Sequence, residues 1–143
     1  MADPRVVSLA RVLVDYCCEV QPGDLVSISG MPPAKPLLRE IYRETLRAGG
    51  HPYLFVSLDG FDQLFLSEAN ENQLKHVSKV SEMINAEFDA RIAVRAQSNT
   101  RELSQVEPAR QSIQAKAYTK VTETFMSRSA SRELIYDSGE FKI

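Results

Sequence analysis

Residues 24–60 read DLVSISGMPPAKPLLREIYRETLRAGGHPYLFVSLDG. Leu25-Val26-Ser27-Ile28-Ser29 is a short apolar and β-branched run closed by Gly30, which reads as a strand. A helix is expected from about Pro33 to Ala48, with Leu37, Leu38, Ile41, Thr45 and Leu46 as its buried stripe and Gly49-Gly50 as its stop. His51-Pro52 cannot continue that helix. Tyr53-Leu54-Phe55-Val56-Ser57-Leu58 then forms a nearly continuous apolar run, the pattern of a strand covered on both faces. Strand, helix and strand in this order imply a right-handed parallel crossover.

The flanks repeat the alternation. Asp3 before Pro4 starts a helix, because the carboxylate accepts from orphan amides while proline takes the first helical position without wasting a donor. Val6, Leu9, Ala10, Leu13 and Cys17 recur on one face of it, and Gln21-Pro22-Gly23-Asp24 turns the chain into the first strand. Downstream, Phe61 to Ser67, Asn70 to Val77 and Ser81 to Phe88 read as helices carrying Leu64, Phe65, Met83 and Ile84. Arg91 to Ala96 reads as a third strand. Pro108 opens a helix through about Ala117, Tyr118 to Ser129 reads as another, and Glu133-Leu134-Ile135-Tyr136 as a fourth strand. The fold expected is α/β: a three-layer arrangement with a mostly parallel sheet of about four strands and helices on both faces, residues 1–143 forming a single domain.

Composition narrows the function classes. The chain has 143 residues, 43% hydrophobic and 25% charged, with a formal net charge of -2, enough to build an ordinary core. Its 17 Lys+Arg are not concentrated in one segment, so no nucleic-acid footprint is read from the chain. Cys17 and Cys18 are adjacent, unsuited to bridging each other or to a spaced metal-ligand pattern, and Cys17 is assigned to the apolar helix face. No basic leader and no run of about 18 apolar residues is present, so the expectation is a cytoplasmic protein without a membrane partner.

Ligands of open α/β sheets gather at the carboxyl ends of the strands, here Gly30-Met31, Asp59-Gly60 and Gln97-Ser98-Asn99-Thr100. Met31 begins a connection with prolines at 32, 33 and 36, which removes the amide donors a phosphate cradle needs; a rigid turn is expected. Asp59 and Asp62 bracket a glycine and could share a cleft, although a helix-capping role is the favoured reading. Asn99, Thr100 and Arg101 bring an amide, a hydroxyl and a guanidinium to one strand end and are candidate cleft-lining residues, with a scaffold role favoured. His51 and His76 stand apart in sequence. There is no His-Glu-x-x-His, spaced cysteine pair or Gly-x-Ser-x-Gly elbow, which disfavours a metal or serine hydrolase contained in this chain.

Taken in order, several segments carry a resemblance: Asp3-Pro4-Arg5-Val6 with Leu9-Ala10, Val20-Gln21-Pro22-Gly23-Asp24, Ile41-Tyr42-Arg43-Glu44 and Leu46-Arg47-Ala48-Gly49 before His51-Pro52. They continue through Phe65-Leu66, Glu68-Ala69, Glu71-x-Gln73-Leu74, Asp89-Ala90-Arg91-Ile92 and Asn99-Thr100-Arg101. The set, spanning roughly residues 3 to 132, resembles the N-terminal domain of the aminopeptidase T, aminopeptidase S and PepS family of metalloaminopeptidases. That resemblance implies enzymes that remove N-terminal residues from peptides with two divalent ions, commonly cobalt, zinc or magnesium, and that form homodimers. In that family the metal ligands belong to a second, C-terminal domain, so none is assigned to a residue here. On that resemblance, the sequence through Ile143 is expected to stop before such a domain begins. The expectation is therefore a cavity-shaping scaffold with no bound metal and no activity by itself, meeting its peptide substrate through that other domain. The alternative is a stand-alone flavodoxin-like ligand-binding or interaction module.

Overall fold

A computed structural model describes residues 3–96 and 105–141. Helix α1 (Pro4–Arg11) begins as expected, with Asp3 accepting from the Arg5 amide at 2.9 Å. Side-chain and backbone hydrogen bonds from Arg5 hold the Asp3 carboxyl below its usual range. The chain then changes pitch: residues Val12–Cys17 form a π-helical turn. There the Cys18 amide donates to the Leu13 carbonyl, five residues back, at 3.0 Å. One extra residue per turn moves the apolar stripe forward by one position. As a result Cys18, 2% exposed, joins the core with Ala10, Leu13 and Val14. The assignment of Cys17 to that face is corrected, since it is only half-buried.

Strand β1 (Leu25–Gly30) leads through a 3₁₀ turn at Pro32–Ala34 into α2 (Lys35–Arg47), and β2 (His51–Val56) follows. The turn closes when the Ala34 amide donates to the Met31 carbonyl at 2.9 Å, the rigid connection expected of a proline-rich segment. Helix α2 stops at Gly49, whose φ of +85 suits glycine alone among common residues. Its buried stripe is Leu37, Leu38, Ile41 and Thr45, whereas Leu46 is 56% exposed. Positions 40 and 44 face inward in its place. Glu40 and Glu44, each 4% exposed, are matched by Arg43, Arg47 and Arg11 at 3.5, 2.7 and 3.5 Å.

Helices α3 (Phe61–Glu68), α4 (Glu71–Lys75) and α5 (Lys79–Glu87) precede β3 (Ala90–Ala96). Helix α4 starts on a reciprocal cap: the Gln73 amide donates to Asn70 and the Asn70 amide to Gln73, both at 2.8 Å. Helices α6 (Pro108–Ala117) and α7 (Thr119–Ala130) lead to β4 (Ile135–Phe141). That strand starts later than its composition suggests. The amides of Glu133 and Leu134 donate to the Arg128 carbonyl at 2.9 and 3.2 Å, so both residues still belong to the exit turn of α7.

All strand pairs are parallel, in the order β2-β1-β3-β4. Val26, Ile28, Ile92 and Val94 of the two central strands pack against Val14, Leu37 and Ile41 in one cluster beneath α1 and α2. The opposite face is more polar, and Arg91 reaches from it to Asn85 at 2.8 Å and to the Phe125 ring at 5.0 Å. Helices α5 and α7 are thereby tied to that side, giving the three-layer α/β fold with helices on both faces. A second small cluster, Leu66, Ala69, Leu74 and Val106, holds α3, α4 and α6 together. Arg110 of α6 donates to the carbonyls of Leu66 and Ala69 at the end of α3.

Strand β2 departs from the expectation drawn from its composition. Tyr53, Leu54 and Val56 are each about half exposed, at 47, 46 and 50%. The reason is its position: as an outer strand it has only β1 beside it, α2 covers part of one face, and the Phe88 edge contact at 5.0 Å touches Tyr53 on the other. A continuous apolar run records hydrophobicity, not which neighbours arrive to cover it.

Candidate functional site

The order β2-β1-β3-β4 reverses direction between β1 and β3, because β1 connects outward to β2 and the chain then returns to the far side of β1. A crevice at that switch point is the ordinary ligand position of a doubly wound sheet. Strand β1 ends beside that point with Gly30, and Met31 follows. At Gly30 an added Cβ would lie 2.9 Å from a Leu38 methyl of α2, so a larger residue would have to push that side chain aside. Met31 is half-buried at the entrance to the 3₁₀ turn. Asp59 and Gly60 follow β2, the outer neighbour of β1, and the Ser57 amide donating to the Gly30 carbonyl at 2.9 Å keeps the two strand ends together.

Neither aspartate caps α3. Gly60 is the cap residue, at φ +88, while Asp59 is exposed and Asp62 lies in the first helical turn, also exposed. The capping reading of this pair is thus corrected: glycine reaches the left-handed region without strain and opens the helix without help from a carboxylate. Asn99, Thr100 and Arg101, the polar group expected after β3, lie outside the described residues. Of the candidate cleft residues, the structure therefore places Met31 and Asp59 at adjoining strand ends.

The opposite end of the sheet, where the strands begin, holds a carboxylate whose work the sequence does not announce. Asp89 accepts the Leu25 amide through its side chain at 2.8 Å, donates its own amide to the Leu25 carbonyl at 2.9 Å and accepts Ile135 at 2.9 Å. It fastens the starts of β1, β3 and β4, so its role is architectural. Replacing Asp89 by alanine is expected to cost about 1–3 kcal/mol, the range for stranding a partly buried amide. Urea denaturation checks this, and a change below a few tenths would mean that water replaces the carboxylate freely.

His51 starts β2, its amide bonded to the Asp24 carbonyl at 2.7 Å, at the end of the sheet remote from Met31 and Asp59. His76 ends α4. Among the described residues no group of three or more His, Cys, Asp and Glu side chains could hold a metal ion. A divalent catalytic ion needs at least three such donors around an open position, so the described residues do not fit one.

A parallel α/β sheet with helices on both faces and a reversal of strand order between β1 and β3 is the class that the fold defines. This chain belongs to the thermophilic metalloprotease (M29) family, whose model matches residues 2–139. No curated protein matches the chain. Among solved structures it is similar to wild-type AmpT from Thermus thermophilus, with a TM-score of 0.75 and 16% sequence identity over 95% of this chain. The chain spans 35% of the length of that structure. At that identity the likeness establishes a shared fold. No described helix is long and apolar enough to cross a membrane.

Proposed function

We propose that this chain is the supporting domain of a metal-dependent aminopeptidase, framing access to a cavity in which N-terminal residues are released from peptides. The observation that carries the reading is the family match over residues 2–139. In this reading two divalent ions, whether cobalt, zinc or magnesium, would be held by a further domain and would supply Lewis-acid polarisation of the scissile carbonyl and activation of water. Two features of the described residues support the reading. A close-packed core under α1 and α2 includes Val26 and Ile28 of β1, and Leu38 of α2 packs close over the strand end at Gly30. Assembly as a homodimer and residence in the cytoplasm belong to the same proposal.

The test is hydrolysis of leucine p-nitroanilide by this chain with added cobalt or zinc. The expected result is no turnover above the metal-only blank. Turnover abolished by a chelator and restored by metal would locate the active centre within this chain and overturn the division of labour proposed here.

A further inference from the structure

Helix α2 carries cations at every fourth position: Lys35, Arg39, Arg43 and Arg47. All four, joined by Arg11 from α1, line one open cleft of about 560 Å³ between the two helices. The linear sequence spreads these charges out, and the helical repeat gathers them. Like charges four residues apart weaken a helix, so the stripe is not explained by the stability of α2. Its second half is neutralised by the buried carboxylates, with Glu40 facing Arg43 and Glu44 facing Arg47 and Arg11. Its first half is not: Lys35 and Arg39 are exposed, and no described carboxylate is paired with either.

The same two cations stand in the wall of a second hollow, a groove of about 670 Å³ between α2 and the outer strand β2. Its floor and sides are apolar, formed by Leu38, Tyr42, Leu54 and Val56. Leu54 and Val56 are about half exposed, the pair that the composition of β2 marks for burial. Pro52 lines the groove too and has no amide hydrogen to offer along the outer edge of β2, so the edge is poorly suited to adding a strand by backbone pairing. Recognition here has to come from side chains. A ligand matched to this surface must present apolar groups and negative charge side by side. A nucleic acid, with continuous phosphates and no aliphatic side chains, fits the basic cleft but leaves the groove unfilled.

We propose that the α2–β2 face is a docking site for an acidic amphipathic peptide segment, whose carboxylates meet Lys35 and Arg39 while its apolar side chains enter the Leu38–Tyr42–Leu54–Val56 groove. The unpaired cations steer the encounter and fix register, and the apolar groove supplies the burial. Binding is read without turnover, so the peptidase reading can fail while this site stands.

The test is fluorescence anisotropy with a labelled peptide alternating Glu and Leu, against three comparators: the Gln/Leu and Lys/Leu counterparts and a single-stranded oligonucleotide. Wild-type protein is expected to bind the Glu/Leu peptide and to lose it as salt rises, because the pairs are exposed. The double variant K35E/R39E, made at two exposed positions and checked for an unchanged far-ultraviolet spectrum, is expected to lose at least about tenfold in affinity, since like charges are then juxtaposed. It should in turn bind the Lys/Leu peptide better than the wild type does. Leu54→Asn, at the floor of the groove, should weaken the Glu/Leu peptide without altering its salt dependence. Equal binding of the Glu/Leu and Gln/Leu peptides, indifference to K35E/R39E, or capture of the oligonucleotide alone would each overturn the proposal.

Discussion

Truncating Ile28 to alanine is expected to remove about 2–5 kcal/mol of folding stability, the range for emptying a fully buried aliphatic site in a core that relaxes only partly. Ile28 is inaccessible to solvent and lies on β1, flanked in register by Leu54 on β2 and Ile92 on β3. Beneath it the cluster contains Val14, Leu37 and Ile41, all fully buried. A cavity there is closed on the sheet side by backbone and on the helix side by close-packed residues, so collapse can recover little of the lost contact. The measurement is the urea midpoint at unchanged slope. Leu54 is the internal control: it pairs with Ile28 across the sheet but is 46% exposed, and its truncation should cost under about 1 kcal/mol because much of its surface is already wet. Equal losses at the two positions would mean that the outer strand is buried in solution.

The second large effect is expected at Arg91. Its guanidinium donates to the Asn85 side-chain oxygen at 2.8 Å and lies 5.0 Å from the centre of the Phe125 ring. Asn85 is only 6% exposed; its amide nitrogen donates to the Ser81 carbonyl at 2.8 Å and its backbone carbonyl accepts from Arg128 at 2.9 Å. Arg91→Ala therefore leaves a buried oxygen without that charged donor and removes the cation from the aromatic face. Together these losses amount to about 2–4 kcal/mol. The loss should be uneven in space. Helices α5 and α7 are joined to the sheet through this polar contact, while α1 and α2 rest on the apolar cluster. Hydrogen exchange should thus accelerate in α5 and α7 well before it does in α2. Arg91→Lys should recover only part of the stability, because an ammonium keeps the charge but lacks the planar fork. Uniform acceleration across all helices would show that the two layers open as one.

Among the sites, the strand ends were open to reading from the chain alone, because glycines and prolines announce where strands stop. Met31 and Asp59 are legible in this way as residues at strand ends, and the parallel pairing of β1 with β2 makes those ends adjoin. The capping role expected of Asp59 or Asp62 falls to Gly60 instead, since glycine reaches the left-handed region without strain. Asp89 is not legible as a strand fastener, because the amide of Leu25 is 64 residues away along the chain. The cationic repeat in α2 was visible as spacing once the helix was assigned. Its meaning required knowing that α1 supplies Arg11 and that Glu40 and Glu44 turn inward to cancel only half of it.

The amino-acid order determined what local interactions can decide: the alternation of strands and helices, their approximate limits, the proline-stiffened turn after β1 and the glycine stop of α2. Each of these rests on preferences acting within a few residues. Tertiary structure alone decided that β2 lies outermost with half its apolar surface uncovered, that a π-helical turn hands the core position from Cys17 to Cys18, and that the exit turn of α7 delays β4 to Ile135. Those outcomes depend on which distant segments arrive as neighbours, and hydrophobic burial is non-directional, so a run of apolar residues specifies that it should be covered without specifying by what.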